Sequence, residues 1–390
     1  MMVSDRQPVA RLAVVAAASS GPVNLSNPTS ADASATAARP PWQARPAATA
    51  VTGPPGAPGL LVCGNASGLL AGLWQSGRDR VDGFLWQADT VRRLPGSSRP
   101  IAMSSLGVVV GEMIGRQGPQ AFRWSYGIHS ALPYLGGTDI PGGHFSIAVS
   151  VNGLGLVAGS SSTDSGDRHA CLWREHISED LGTLGGPESS AAAVNDLGLV
   201  VGTSQTRSGA DHAFVWSDRR MHDLGTLGGT WSSASGVNNA GLVIGSSGTA
   251  DDRTHAFCWQ NGIMTDLGTL VGDEHSEAVA VNNAGQVLVR SYGGGVRAFL
   301  WSGGDLTEIH GFGEGWVDPA GLNDSGVVCG TVELPAGDGH AFRWRHGVVT
   351  DLGTLGGRQS SASHVTAGGV VLGEAVSVSS PVPHAAFWTP

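Results

Sequence analysis

Five histidines, His169, His212, His255, His340 and His384, each stand directly before an alanine. Together they would suggest a metal centre, because neutral imidazole is a common ligand. Their spacing argues otherwise. His169, His212 and His255 recur every 43 residues, which marks one structural position repeated along the chain. Equivalent positions of a ring cannot converge on one ion, so each imidazole is expected to hydrogen-bond to its neighbouring turn, and no metal is expected.

Chemistry is sought instead where the repetition breaks. His364 stands where other units carry Ala193, Gly236, Ala280 and Gly321. A titratable ring in the place of a small residue is an acid–base candidate. Glu374 is a second, because its expected cross-strand partner is Ser361 rather than a cation. Simple alternation puts these two on opposite faces of their sheet. The segments after the motif DLGTLGG also vary, with His144, Phe145, Glu188, Trp231, Asp273, Glu274, His275, Glu314, Trp316, Arg358 and Gln359. Read as loops on one rim, they make His144 and His275 further catalytic candidates. Trp231, Trp316, Phe145, Glu188 and Arg358 become candidate substrate contacts. Drift of a solvated surface explains the same variation, although exposed large aromatics favour a ligand. No GxSxG, HExxH, phosphate-binding loop, dinucleotide fingerprint or acidic calcium loop occurs, so any enzyme reading is of a cofactor-free site.

The elements that hold these residues come from a repeat. The tryptophan closing HAFxW recurs at Trp86, Trp124, Trp173, Trp216, Trp259, Trp301, Trp344 and Trp388. Each unit contains four strand-length apolar runs joined by turn-rich links such as Asn238-Asn239-Ala240-Gly241 and Gln260-Asn261-Gly262. Four short strands per unit of roughly 40–45 residues is the period of a β-propeller blade. The expected fold is therefore all-β, a propeller of eight four-stranded blades over 59–390, or seven if 60–86 is degenerate. The first three strands occur eight times and the DLGTLGG strand seven times, so an N-terminal strand should close the ring, with residues 8–15 as the candidate.

The register is testable from the sequence. If Asn-x-x-Gly joins the first two strands, the residue five before the Asn faces the residue eight after it. This pairs Arg99 with Glu112, Glu277 with Arg290, Leu60 with Leu73, Ser190 with Thr203 and Ser233 with Ser246. The charges swap sides but stay complementary, as opposed residues should, so Arg99, Glu112, Glu277 and Arg290 read as ion pairs.

Composition narrows the partners. Gly is high at 60 residues, charged residues are only 14%, and the net charge is -10. That balance argues against nucleic acid and anionic membrane, and no stretch of 18 apolar residues spans a bilayer. All 22 basic residues are Arg, as in a GC-rich, actinobacterial type of genome. Cys63, Cys171, Cys258 and Cys329 lie in apolar strand runs without CxxC spacing and are expected as small core residues. Residues 1–20 imitate a short signal peptide only loosely, since Asp5 sits in the leader. The expected location is the cytoplasm, with secretion as the alternative. Residues 21–58, rich in Pro, Ala, Ser and Thr, read as a strap or linker.

HAFVW (His212–Trp216), HAFCW (His255–Trp259) and HAFRW (His340–Trp344), with DLGTLGG at Asp180, Asp223 and Asp351, resemble the HAF-repeat family. The resemblance covers about 60–390 and implies a propeller. A looser similarity is to propeller-type cyclodehydratases of oxazole-containing actinobacterial polyketide pathways. It implies an enzyme acting on an N-formylglycyl chain carried by an acyl carrier protein; such a carrier is itself acidic, which makes Arg358 the candidate carrier contact, and the chain is expected to be a monomer that needs no cofactor. The alternative is a non-catalytic propeller that binds a glycan, peptide or protein on the same rim.

Overall fold

Each repeat unit folds into a four-stranded antiparallel sheet, and eight such sheets close into a ring, a β-propeller. The computed structural model describes residues 47–390 except 55, 78, 79, 138, 139, 141 and 142. Blades 1 to 8 cover 59–93, 99–131, 146–180, 185–223, 228–266, 275–309, 317–351 and 356–388. Residues 59–93 make a full blade, which settles the count at eight.

Closure comes from the N-terminal side, through a strand other than the expected one. Thr49–Ala50 pairs with Ser380–Trp388, Thr49 opposite Phe387 and Ala50 opposite Ala386. The Val51 N–H then donates to the Ala385 carbonyl at 2.8 Å. Val51 is buried against Leu61, Trp74 and Phe387. The outer place in blade 8 is thus held by residues expected in the strap, and residues 8–15 lie outside the described residues. Two paired residues suffice because one buried apolar side chain anchors them.

The register expected from the sequence holds at every tested pair. Arg99 faces Glu112, Glu277 faces Arg290, Leu60 faces Leu73, Ser190 faces Thr203 and Ser233 faces Ser246. The two charged pairs are ion pairs, at 3.8 Å for Arg99–Glu112 and 3.6 Å for Arg290–Glu277.

Aromatic side chains fill the gaps between blades. Phe84 of GFLW and Phe122, Phe214, Phe257, Phe299 and Phe342 of AFxW are fully buried. Phe214 and Trp216 of blade 4 pack with Leu172 and Leu181 of blade 3, and Trp388 of blade 8 packs with Cys329 and Leu352 of blade 7. All four cysteines are buried and free.

The repeated polar residues are latches. His169, His212, His255 and His340 pair through Nδ1 with Asp180, Asp223, Asp266 and Asp351 at 2.8–2.9 Å. The partner is the DLGT aspartate on the adjacent strand, whose other contact is a turn amide such as Gly182 N–H at 2.8 Å. In blade 8, Ala50 occupies the aspartate's place. Ser189 of blade 4 accepts from the Ala170 N–H of blade 3 at 2.8 Å and donates to the Gly182 carbonyl at 2.6 Å. Ser232, Ser276 and Ser360 repeat this bridge.

A run of asparagines links successive blades through the turns between their first two strands. In each Asn-x-x-Gly turn the buried Asn caps its own turn and reaches the next blade. Asn238 Oδ1 accepts from Ala240 and Leu242 N–H at 3.0 and 2.9 Å, and its Nδ2 donates to the Asn282 carbonyl at 3.0 Å. The chain of donors runs Asn152, Asn195, Asn238, Asn282, Asn323 and ends on the Thr366 carbonyl.

Candidate functional site

Every first strand carries a one-residue bulge at the same place, between Ala234 and Gly236 in blade 5 and between Ala362 and His364 in blade 8. The bulge decides where His364 points. Across the sheet Ser361 pairs with Glu374, Ala362 with Gly373 and His364 with Leu372. Opposed residues share a face, and so do Leu372 and Glu374, two apart on one strand. His364 and Glu374 are therefore on the same face of blade 8, not on opposite ones. The extra residue, Ser363, shifts the alternation by one step.

That face meets blade 1. Leu372 packs with Leu61 and Leu70, and Ser363 Oγ donates to the Leu61 carbonyl at 2.5 Å. Burial lowers the His364 pKa to about 4, which keeps the imidazole neutral. Burial also raises the Glu374 pKa, opposed only by a hydrogen bond from Ser361 at 3.4 Å. In blades 4 and 6 the residues matching Glu374 are Thr203 and Arg290, which reach Ser233 and Asp318 of the next blade. The matching residue in blade 1 is Leu60, an apolar neighbour that cannot solvate a carboxylate. A carboxyl biased toward its protonated form and an imidazole biased toward its neutral form thus share one face of one strand pair.

The cost of ionising Glu374 is present above its raised folded pKa and disappears as pH falls through it, because the folded carboxyl then takes up a proton. Glu374→Gln is expected to raise the melting temperature at about pH 8, with the gain shrinking toward about pH 4. Thermal melts across that range check this, and a gain independent of pH would contradict it.

The other candidates are dispersed and mostly paired. The segment after DLGTLGG is a strand extension in blades 4, 5 and 8, where the first strand spans Gly185–Val194, Gly228–Val237 and Gly356–Val365. It was expected to be a loop. Paired glycines permit the extension: Gly228 has φ 101°, and a Cβ on Gly229 would lie 2.4 Å from the Gly248 backbone. Glu188 pairs with Arg168 at 3.1 Å. Trp231 rests its indole on Gly248 and is 36% exposed, and Trp316 rests on Gly339. Arg358 pairs with Asp338 at 3.1 Å yet is 80% exposed.

His144 is buried, with Nε2 2.8 Å from the Gly137 carbonyl and its ring tilted on Tyr134. The neighbouring Phe145 accepts the Ser162 N–H at its carbonyl, and its own N–H donates to Ser162 Oγ. Asp273 is held by Arg297 at 2.9 Å and by Ser291. His275 accepts the Thr254 N–H at Nδ1 and stacks on Tyr292. Glu314 and Gln359 are exposed, and Glu274 binds through its backbone to Tyr292. His364 and Glu374, by contrast, share one face of one strand pair.

Sequence reasoning passed over Arg123. It stands at the x position of AFxW, where blade 3 has Leu172 and blade 7 has Arg343, and an Arg at a position that is apolar in most blades was the available signal.

Neither a protein-family model nor a curated protein sequence matches the chain. Solved structures do. The β-propeller domain of the Trilobed protease from Pyrococcus furiosus, described as having an open velcro topology, is 10% identical, covering 76% of this chain and 96% of that one at TM-score 0.50. Dipeptidyl peptidase 4 from Porphyromonas gingivalis is 11% identical, covering 87% and 58% at TM-score 0.54. A puromycin-hydrolysing peptidase from Mycobacterium tuberculosis is 13% identical, covering 75% and 52% at TM-score 0.49. The chain spans little more than half the length of these two peptidases. At such identities the likeness shows the fold alone. The class it defines is an eight-bladed β-propeller, an architecture that serves both as enzyme scaffold and as binding module.

Proposed function

We propose that this propeller is a cofactor-independent acid–base enzyme with Glu374 as acid and His364 as base. The observation that carries this reading is their placement on one face, with burial biasing both toward the neutral form. A general acid and a general base must coexist in those forms at one pH.

The specific reaction proposed is cyclodehydration of an N-formylglycyl chain on an acyl carrier protein. The formyl oxygen bonds to the glycyl carbonyl carbon, the N–H and one α-hydrogen leave as protons, and the former carbonyl oxygen departs as water. Neutral His364 would take a proton from the glycyl unit, and protonated Glu374 would give one to the departing oxygen. This needs neither ATP nor metal. Exposed Arg358 would contact the acidic carrier.

The test is incubation with carrier-bound N-formylglycyl thioester, followed by mass spectrometry. Loss of one water with the wild type, and not with Glu374→Gln, supports the reading. An unchanged mass with active carrier protein removes the cyclodehydratase. The half-exposed Trp231 favours a second reading, a binding module. Retention of a glycan or peptide by the wild type and not by Trp231→Ala would support it.

A further inference from the structure

We propose that the cleft between blades 2 and 3 binds a small carboxylate on an apolar body, anchored by Arg123. The x position of AFxW is apolar and buried in blades 1, 3, 4, 5 and 6, as Leu85, Leu172, Val215, Cys258 and Leu300. In blade 3 this side chain faces the next blade, where Leu172 packs on Ala191 and Val194. Blade 2 puts a guanidinium into that inter-blade layer. Its Nε is buried with no hydrogen-bond partner among the described residues. The Arg123 side chain borders an open cavity, where a bound anion would pair with its guanidinium.

Space for such an anion is present. A cavity of about 320 Å³ opens beside Arg123, lined by Tyr126, Ile128 and Leu132 of the blade 2 side and by Glu175 and His176 of blade 3. That volume suits a ligand of about ten heavy atoms. Tyr126 and Ile128 are 86% and 67% exposed and offer apolar surface for a hydrocarbon body. Tyr126 and Glu175 hold left-handed backbone conformations, φ 51° and 55°, at the position where blade 5 has Asn261. The same hairpin position is left-handed at Ala88, Asp218 and His346 of other blades, so this conformation belongs to the turn type rather than to the cleft.

The chemistry favours a carboxylate over a phosphate. One planar guanidinium matches a carboxylate with two parallel hydrogen bonds. A dianion would need further cations, whereas the rim carries Glu175.

The experiment is a calorimetric titration of the full chain with phenylacetate, its neutral isostere phenylacetamide and inorganic phosphate. Two variants accompany it. Arg123→Leu installs the residue that blades 1, 3 and 6 already carry, so it should fold and melt no lower than the wild type. Arg343→Leu makes the same change at the matching position of blade 7. Saturable phenylacetate binding by the wild type and Arg343→Leu is expected, weakened at least about tenfold for the amide and for Arg123→Leu. Non-saturable binding by the wild type, equal binding of the amide, or undiminished binding by Arg123→Leu would overturn the proposal. Phosphate binding as tight as phenylacetate would overturn the carboxylate assignment.

Discussion

Asn238→Ala is expected to destabilise the propeller by about 3 kcal/mol, more than its one side chain suggests. Three hydrogen bonds go at once: two caps to Ala240 and Leu242 N–H and the donor to the Asn282 carbonyl. Each such bond is worth about 0.5–1.5 kcal/mol net, and the buried groups left behind add a desolvation cost. Natural controls exist within the molecule. Blades 2 and 8 have Ser104 and Thr366 at the Asn position, and their hydroxyls cap only Val108 and Val370 N–H, each at 3.1 Å. Neither can donate an amide N–H across the ring. Asn238→Ser should therefore cost less than Asn238→Ala, since one cap survives. Denaturant unfolding measures both. A cost below about 1 kcal/mol for Asn238→Ala would mean that water replaces the ring bonds without penalty.

His364→Ala is expected to destabilise by about 2 kcal/mol and to be partly rescued by Gly64→Val. The position of His364 packs on the following blade, and around the ring it pairs a small residue with a larger one. Cys63 meets Met103, Ala102 meets Val151, Ala193 meets Val237 and Ala280 meets Leu322. Ser150 Oγ accepts the Val194 N–H. A Cβ built on Gly236 or Gly321 lies 3.7 or 3.5 Å from Val281 or Val365 Cγ1. At the closing seam the sizes invert: His364 comes from blade 8, and Gly64 stands where blades 3–6 and 8 have valine.

Removing the ring leaves a void, and adding valine alone overpacks the seam by about 1–3 kcal/mol. Together they restore the small–large pairing of the other blades, with Leu70 Cδ2, 2.7 Å from the new Cβ, left to give way, so the double variant should recover part of the lost stability, a coupling a double-mutant cycle reads directly. The double variant also separates packing from chemistry. If it folds and recovers stability but has lost turnover of a confirmed substrate, His364 acts in the reaction. Full turnover would remove it from the acid–base pair.

The seam shows where sequence reasoning stopped. His364 and Glu374 were visible as departures from the repeat, because a departure is defined by sequence alignment of the units. Their relative orientation was not visible. Strict alternation gave opposite faces, and the bulge at Ser363, a feature of backbone pairing, reversed that result. The loop assignment of Glu188, Trp231 and Arg358 failed for a similar reason, since Gly-rich segments that read as turns were flat enough to extend the strand.

What the sequence by itself determined about this protein is local and periodic. The HAFxW and DLGTLGG repeat set the blades, and Asn-x-x-Gly set the register of the first two strands, because turn chemistry and period-two burial act over a few residues. What only the tertiary structure decided involves partners about 40 residues away or at the other end of the chain. The asparagine links between blades, the placement of His364 at the closing seam and the closing strand Thr49–Ala50 each depend on which blade lies next. A single unit carries no record of its neighbour, and the ring has to close before those contacts exist.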